Sequence, residues 1–129
     1  VKEPRWVKRT WVDAWHFEQL KHFGGQHGVR DQGAIESALA RPCNKWVYDG
    51  MRGIPLLAAA LGYGLIRNHG YIDGNKRVGF VAMAVFLELN GYTLQTDEAD
   101  VVQTMLAVAS GACSEEELGA WVKSRSQLK

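Results

Sequence analysis

The chain has 129 residues, of which 47% are hydrophobic and 22% charged, with three prolines, two cysteines and a formal net charge of +1. That length suits one domain able to bury roughly two-thirds of its extended surface without staples, and the composition excludes disorder as the main state and any fibrous class. The longest charge-free stretches, residues 53–66 and 78–87, fall short of the about eighteen residues or more that a spanning helix needs, so no membrane crossing is predicted.

Helix punctuation is frequent and strand signals are scarce. A first helix is predicted to be capped by Thr10, with Asp13 in its first turn, because Val12, Trp15, Leu20 and Phe23 recur at helical spacing and Gly24-Gly25 follows as a stop. Gly28-Val29-Arg30-Asp31 reads as a loop delivering Asp31 as the N-cap of a second helix over 32–41, with Ile35, Ala38 and Leu39 inward and Pro42 ending it. Trp46, Val47 and Tyr48, followed by Asp49-Gly50 and Gly53, read as a surface loop or short hairpin over 43–53, a flap. Pro55 suits the first turn of a third helix, rich in Leu and Ala, that runs to about Arg67.

Residues 69–77 are too polar and glycine-broken for a helix interior. Residues 78–89 have Glu88 as their only charge, which predicts a fourth helix, apolar on every side and buried centrally among the others, stopped by Asn90-Gly91. Tyr92-Thr93-Leu94 forms a short extended piece. Asp97-Glu98-Ala99-Asp100 starts a fifth helix that ends near Gly111, and Ser114 with the glutamates behind it starts a sixth with a capping box. The fold class is therefore all-α: a single domain over 1–129, a bundle of about six helices with at most a minor hairpin.

Cys43 and Cys113 stand far apart with no CxxC, so neither a zinc site nor a disulfide framework is predicted. No apolar stretch follows the charged N-terminal residues, which predicts a cytoplasmic protein without a signal peptide. Charge is uneven: residues 1–77 hold twelve Lys and Arg against seven Asp and Glu, and residues 78–122 hold seven acids and no base. Solvated helix faces account for such a spread, but it also allows a local anion site at the basic end of the first stretch. Lys2, Arg5, Lys8 and Arg9 make a weak nucleic-acid footprint on a near-neutral chain, so no direct nucleic-acid partner is predicted.

Chemistry concentrates between the third and fourth helices. The segment from His69 to Arg77 opens directly onto the N-terminus of an apolar helix, where unpartnered backbone N–H groups and the helix dipole stabilise an anion. Gly74 leaves room for close approach. Lys76 and Arg77 add two cations where the dipole repels cations, a conflict that an anion between them resolves. Asp73 either caps the helix or holds a magnesium ion shared with a polyphosphate. His69 is placed to accept the proton that an alcohol loses on attacking phosphorus, an effect of about 10²–10⁴ in rate. Together these are the parts of a phosphoryl or nucleotidyl transferase. Singly, each has a plainer reading, since a lone histidine near a helix end is more often structural and a Lys-Arg pair is usually solvated. Arg67 is held in reserve as a further phosphate contact, Arg30 reads as a loop ion pair or cap, and His16, His22 and His27 lack any ligand-like arrangement.

In this order, HGYIDGNKR, the residues resemble the Fic/Doc family motif HxFx(D/E)xN(G/K)R, and the lysine resembles the Doc, or death-on-curing, branch. Phe23-Gly24-Gly25 with Gly28-Val29-Arg30-Asp31, the run from Glu36 to Pro42, Tyr48, and Leu89-Asn90-Gly91 resemble the death-on-curing pattern in the same order. The resemblance implies a Fic-fold helical bundle in which His69 is the catalytic base and Asp73 engages magnesium. It implies that Asn75, Lys76 and Arg77 contact nucleotide phosphates, that the Gly74 backbone lies in the anion cradle, and that a flap at Trp46, Val47 and Tyr48 receives a target strand. The implied reaction moves the γ-phosphate of ATP to a protein hydroxyl, with translation elongation factor Tu as the family's target and arrested translation as the outcome. The implied role is the toxin of a toxin–antitoxin pair.

Two alternatives stay open: transfer of AMP, as in related Fic enzymes, and a silent scaffold, against which the intact motif argues. Gly70 and Tyr71 depart from the usual pattern, the glycine loosening the loop and the tyrosine bringing a hydroxyl that needs a partner. Phe80 stands where a Fic-type second arginine would be, which fits the Doc branch, and Lys76 in place of glycine crowds a β-phosphate site, implying another nucleotide orientation. No self-inhibiting (S/T)xxxE(G/N) segment occurs in the sequence. The resemblance therefore implies inhibition by a separate chain, a Phd-like antitoxin whose disordered tail folds as a helix into an apolar groove. Exposed tryptophans are expected to line that groove, Trp46 first among them, with Trp15 and Trp121 in the core.

Overall fold

In the computed structural model, which describes residues 2–129, six helices and two short strands follow in the order α1 (Arg9–Phe23), α2 (Gln32–Tyr48), α3 (Ile54–Asn68), α4 (Asn75–Leu89), β1 (Tyr92–Leu94), α5 (Glu98–Ser110), α6 (Glu115–Arg125) and β2 (Ser126–Leu128). Local chemistry sets several of these boundaries. Asp31 accepts from Ala34 N to cap α2, Asp97 accepts from Asp100 N to cap α5, and Ser114 and Glu117 close a reciprocal capping box on α6. The start of α1 differs from expectation: Lys8 is the N-cap, no side chain caps it, and Thr10 lies inside the first turn.

The second helix corrects the sequence reading more substantially. It passes through Pro42 and runs to Tyr48, so Trp46, Val47 and Tyr48 form its last turn rather than a loop or hairpin flap. A proline inside a helix costs about 3 kcal/mol or more, through a lost hydrogen bond and a crowded carbonyl. Here Ile35, Ala38 and Pro42 are all buried, and α2 packs along α3, so tertiary burial outweighs the local break. The stop comes at Gly50, whose φ of 68° reverses the chain, with Asp49 N and Met51 N both donating to Lys45 O. The minor β component lies elsewhere, where Tyr92–Leu94 pairs antiparallel with Ser126–Leu128 and Thr93 stands opposite Gln127.

α3, not α4, is the central rod. It packs against α2, α4, α5 and α6, and ten of its fifteen residues are buried, against seven of fifteen in α4. Small residues let the neighbours approach closely: a Cβ on Gly79 of α4 would lie 2.6 Å from Ile66 Cγ1 and 3.3 Å from Gly62 O. Large side chains then fill the spaces between helices, with Leu57, Leu61, Phe86 and Leu118 at most 1% exposed, each burial worth about 1.5–3 kcal/mol.

The apolar surface that α4 does not bury against α3 faces a groove of about 780 Å³ between α1, α4 and α5. Phe80, Val81 and Ala84 form its floor, Val101, Val102, Met105 and Leu106 one wall, and Gln19 and Phe23 the other. None of the five tryptophans lines it. All five are half-buried, Trp15 and Trp121 pack against the core as expected, and Trp46 is turned inward against Trp6 with the two rings 6.3 Å apart. Both cysteines are free thiols, half-buried. Among the described residues no helix is long and apolar enough to cross a membrane.

Candidate active site

The end of α3 places His69. The residue follows Asn68 in the left-handed conformation, φ 50° and ψ 52°, alone among the described non-glycine residues in having positive φ, a strain of about 1–3 kcal/mol that neighbours must hold. Arg30 holds it. Its Nε donates to His69 O at 2.6 Å and its Nη2 to Asn68 O at 2.9 Å, so Arg30 caps the last carbonyls of α3 and makes no ion pair with Asp31. Asn68 Nδ2 adds a bond to Ala34 O at 3.0 Å. The His69 side chain is exposed.

Residues 70–73 then run along the segment 24–31. Gly70 O accepts from Arg30 N and Asp31 N, Ile72 N donates to Gly28 O, and Tyr71 bridges to Val29. Gly70 is buried, and a Cβ there would lie 2.3 Å from Ile35 Cγ1. The glycine therefore provides room for α2 rather than loosening the loop. Tyr71 is 2% exposed, and its hydroxyl finds its partner in Asp13, donating to Oδ1 at 2.5 Å. Burial, together with that bond, pushes the phenol well above its ordinary range. Arg9 secures Asp13 at 2.9 Å and reaches Glu36 on α2 at 3.0 Å.

Asn75, 5% exposed, opens α4 and uses its side chain on the loop: Oδ1 accepts from Tyr71 N at 3.1 Å and Nδ2 donates to Tyr71 O at 2.9 Å. The side chain expected to touch phosphate thus locks the turn, and its backbone N–H is the group presented at the helix end. Gly74 is the N-cap, with φ 80°, and no side chain caps α4. A Cβ on Gly74 would come within 3.3 Å of Leu20 Cδ2 and 3.5 Å of His16 Nε2, so the cradle is closed on its inner side.

Asp73 does not cap α4. Its Oδ2 accepts from Gln26 N at 3.2 Å and its Oδ1 from Gly74 N at 3.1 Å. These two backbone donors, Gln26 foremost, hold its carboxyl below the usual carboxylate range, with smaller help from Arg77 and Lys76. Lys76 is exposed. Arg77 is half-buried: Nη2 donates to Gly24 O at 3.1 Å, the guanidinium lies 5.4 Å from the Phe23 ring, and Nε is buried with no partner. Arg67 turns away, with Nη1 donating to Ala109 O at 2.9 Å at the end of α5, and serves as a structural cap. Trp46, Val47 and Tyr48 belong to a separate surface at the end of α2. There Val47 and Tyr48 are exposed and Trp46 lies beneath the Arg52 guanidinium at 4.0 Å. Helical backbone has no free groups for strand pairing, and of the irregular residues 49–53 that follow, Asp49 N and Met51 N are already bonded to Lys45 O.

The arrangement is a charged, uncapped helix N-terminus beside an exposed imidazole and one ionised carboxylate. Among the described residues no cluster of three or more His, Cys, Asp or Glu side chains forms a metal cage. A single hard carboxylate oxygen, kept ionised and exposed, fits magnesium, which keeps several waters and completes its shell with substrate phosphates. Sequence reasoning offered Arg30 as a loop ion pair or cap, and the structure makes it a cap; it passed over His16, whose Nε2 lies 2.7 Å from Asp73 O. The available signal was the spacing of Arg9, Asp13, His16 and Leu20, which puts polar side chains on the inward face of α1.

Comparison with known proteins bears on the chain as a whole. The family model described as the Fic/DOC family matches residues 6–87, from the arm before α1 to the last turn of α4. A protein named Toxin Doc from Mycolicibacterium smegmatis is 40% identical to the chain over 103 residues, covering 76% of this chain and 78% of that protein.

Proposed function

The chain belongs to the Fic/DOC family, and from that membership we propose that it is a Doc-type toxin that phosphorylates a protein hydroxyl. The observation that carries the reading is the N-terminus of α4, where no side chain caps the first turn and Lys76 and Arg77 stand at the same end. Such an end, with φ-positive Gly74 allowing close approach, is suited to polyphosphate.

In this reading ATP is the substrate, cradled by Gly74 and the backbone of Asn75, Lys76 and Arg77, with Asp73 available to a magnesium ion that would neutralise phosphate charge. His69 takes the proton of the target hydroxyl as its oxygen bonds to the γ-phosphorus; the bond from that phosphorus to the β-phosphate oxygen breaks and ADP leaves. The target is translation elongation factor Tu, modified in the cytoplasm with arrest of translation, and it docks near Tyr48 and the irregular residues 49–53. Inhibition comes from a Phd-like antitoxin whose tail folds as an amphipathic helix in the groove between α1, α4 and α5, where Val102 and Leu106 are about half exposed.

A transfer assay on purified elongation factor Tu with ATP labelled at the α or the γ position tests this. The γ label should reach the factor and disappear with His69→Ala. Label from the α position would mean adenylylation instead, and none from either would leave a silent scaffold.

A further inference from the structure

We propose that His16 of α1 is a positioning residue for Asp73, acting through the peptide bond between Asp73 and Gly74. The inference rests on reading residues 69–77 as a phosphate and metal loop. His16 is 5% exposed, and its Nε2 lies 2.7 Å from Asp73 O. A carbonyl oxygen only accepts, so Nε2 carries the proton and the imidazole donates. The C=O and N–H of one trans peptide lie in a single rigid plane and point in opposite directions within it. Fixing the Asp73 carbonyl therefore fixes the Gly74 N–H, which donates to Asp73 Oδ1 at 3.1 Å. The buried imidazole sets the plane, the plane aims the N–H, and the N–H holds an exposed carboxylate.

The imidazole is itself held. It stacks on the Tyr71 ring with centroids 3.8 Å apart and planes 14° apart, and the Tyr71 hydroxyl is bonded to Asp13 at 2.5 Å. Arg9 fastens Asp13 to Glu36 of α2. Arg9, Asp13 and His16 share one face of α1, and Leu20 continues that face to within 3.3 Å of where a Gly74 Cβ would stand. One helix face thus grips the loop at the phenol of residue 71, the carbonyl of residue 73 and the backbone of residue 74, so that the direction of one carboxylate depends on α1. The competing account is a satisfied buried histidine that matters for folding alone.

The test compares the full ¹⁵N-labelled native chain with His16→Gln, which keeps an N–H donor, and with two donorless variants, His16→Phe, which keeps a ring against Tyr71, and His16→Leu, used if His16→Phe does not fold. Long-range nitrogen spectra should show His16 protonated at Nε2. The Gly74 amide proton should move upfield and exchange at least about tenfold faster in the donorless variant, and return toward the native values in His16→Gln. Magnesium titration of the ATP-loaded chain by calorimetry should require about 10–100-fold more metal in the donorless variant, the usual scale for residues supporting a ligand. A Gly74 amide that does not move in the donorless variant, or a His16 protonated only at Nδ1, overturns the proposal. Failure of the native chain to bind ATP would instead sink the reading of the loop, and the Gly74 amide would still decide the role of His16.

Discussion

Asn75 closes its side-chain amide on the backbone of Tyr71, accepting from Tyr71 N at 3.1 Å and donating to Tyr71 O at 2.9 Å. Both residues are buried, so Asn75→Ala strands two backbone groups at about 1–3 kcal/mol each. Urea denaturation should show a stability loss of at least about 2 kcal/mol for the two groups together, with transfer abolished. Asn75→Asp should not rescue either readout, because a carboxylate oxygen would face the Tyr71 carbonyl.

His69 offers the opposite balance. Glycine at its left-handed position removes about 1–2 kcal/mol of backbone strain and adds about 0.4–1 kcal/mol of unfolded-state entropy. His69→Gly should therefore raise the unfolding free energy by about 0.8 kcal/mol, the mid-range difference of those two effects, while lowering transfer by about 10²–10⁴. Thermal melts and the labelled-ATP assay on one preparation check both. A less stable variant would mean that the imidazole carries a structural load.

Asp100 governs the response to acid at the far end of the bundle. Hydrogen bonds from Arg125 first, then from Thr96 and Trp121, hold its carboxyl down at about 2; those from Thr96 and Trp121 measure 2.6 and 3.2 Å. The folded carboxyl binds its proton less tightly than an unfolded aspartate, whose value is about 3.9. Its contribution to stability is therefore present above about pH 4 and is lost as the pH falls toward about 2. Urea melts between these limits should show a shallower pH dependence for Asp100→Asn than for the native chain. Equal slopes would assign the acid sensitivity to other carboxylates.

Leu106, 52% exposed on the groove wall, reports on the inhibitory partner. Leu106→Asp removes an apolar anchor worth about 1.5–3 kcal/mol, so affinity for a helical antitoxin tail should fall about ten- to hundredfold. Transfer by the chain alone should fall far less than it does with His69→Ala, although Lys76 and Arg77 line the same groove as Leu106. Fluorescence anisotropy of a labelled tail peptide measures the first, and the labelled-ATP assay the second.

Most of the helical frame was legible because its punctuation is local: Asp31, Asp97 and the Ser114–Glu117 pair act within one turn, and the structure uses each as read. The failures share a different cause. Pro42 and the residues after it were read by local rules as a break and a hairpin, and burial against α3 overrode both. The apolar run of α4 was taken for the centre, whereas its surplus face lines a groove, a distinction that depends on which neighbours arrive. At the site, the order His69, Asp73, Lys76 and Arg77 was readable from the helix end at which it lies, although α4 begins at Asn75 and takes in the last two. Arg30 was readable as a cap, but its partners and the grip of His16 were not, because each spans more than thirty-five residues of sequence and only the folded chain brings them together.

The burial of α3 has a bearing on the lifetime of the chain in a cell. A charge-free stretch of Leu, Ala and Gly that is silent inside the bundle becomes an adhesive segment whenever the surrounding helices open. Chaperones and proteases that survey unfolded chains would meet it first, so turnover should follow the frequency of opening rather than the chemistry of the loop. The same helix that organises the molecule would then mark it for removal.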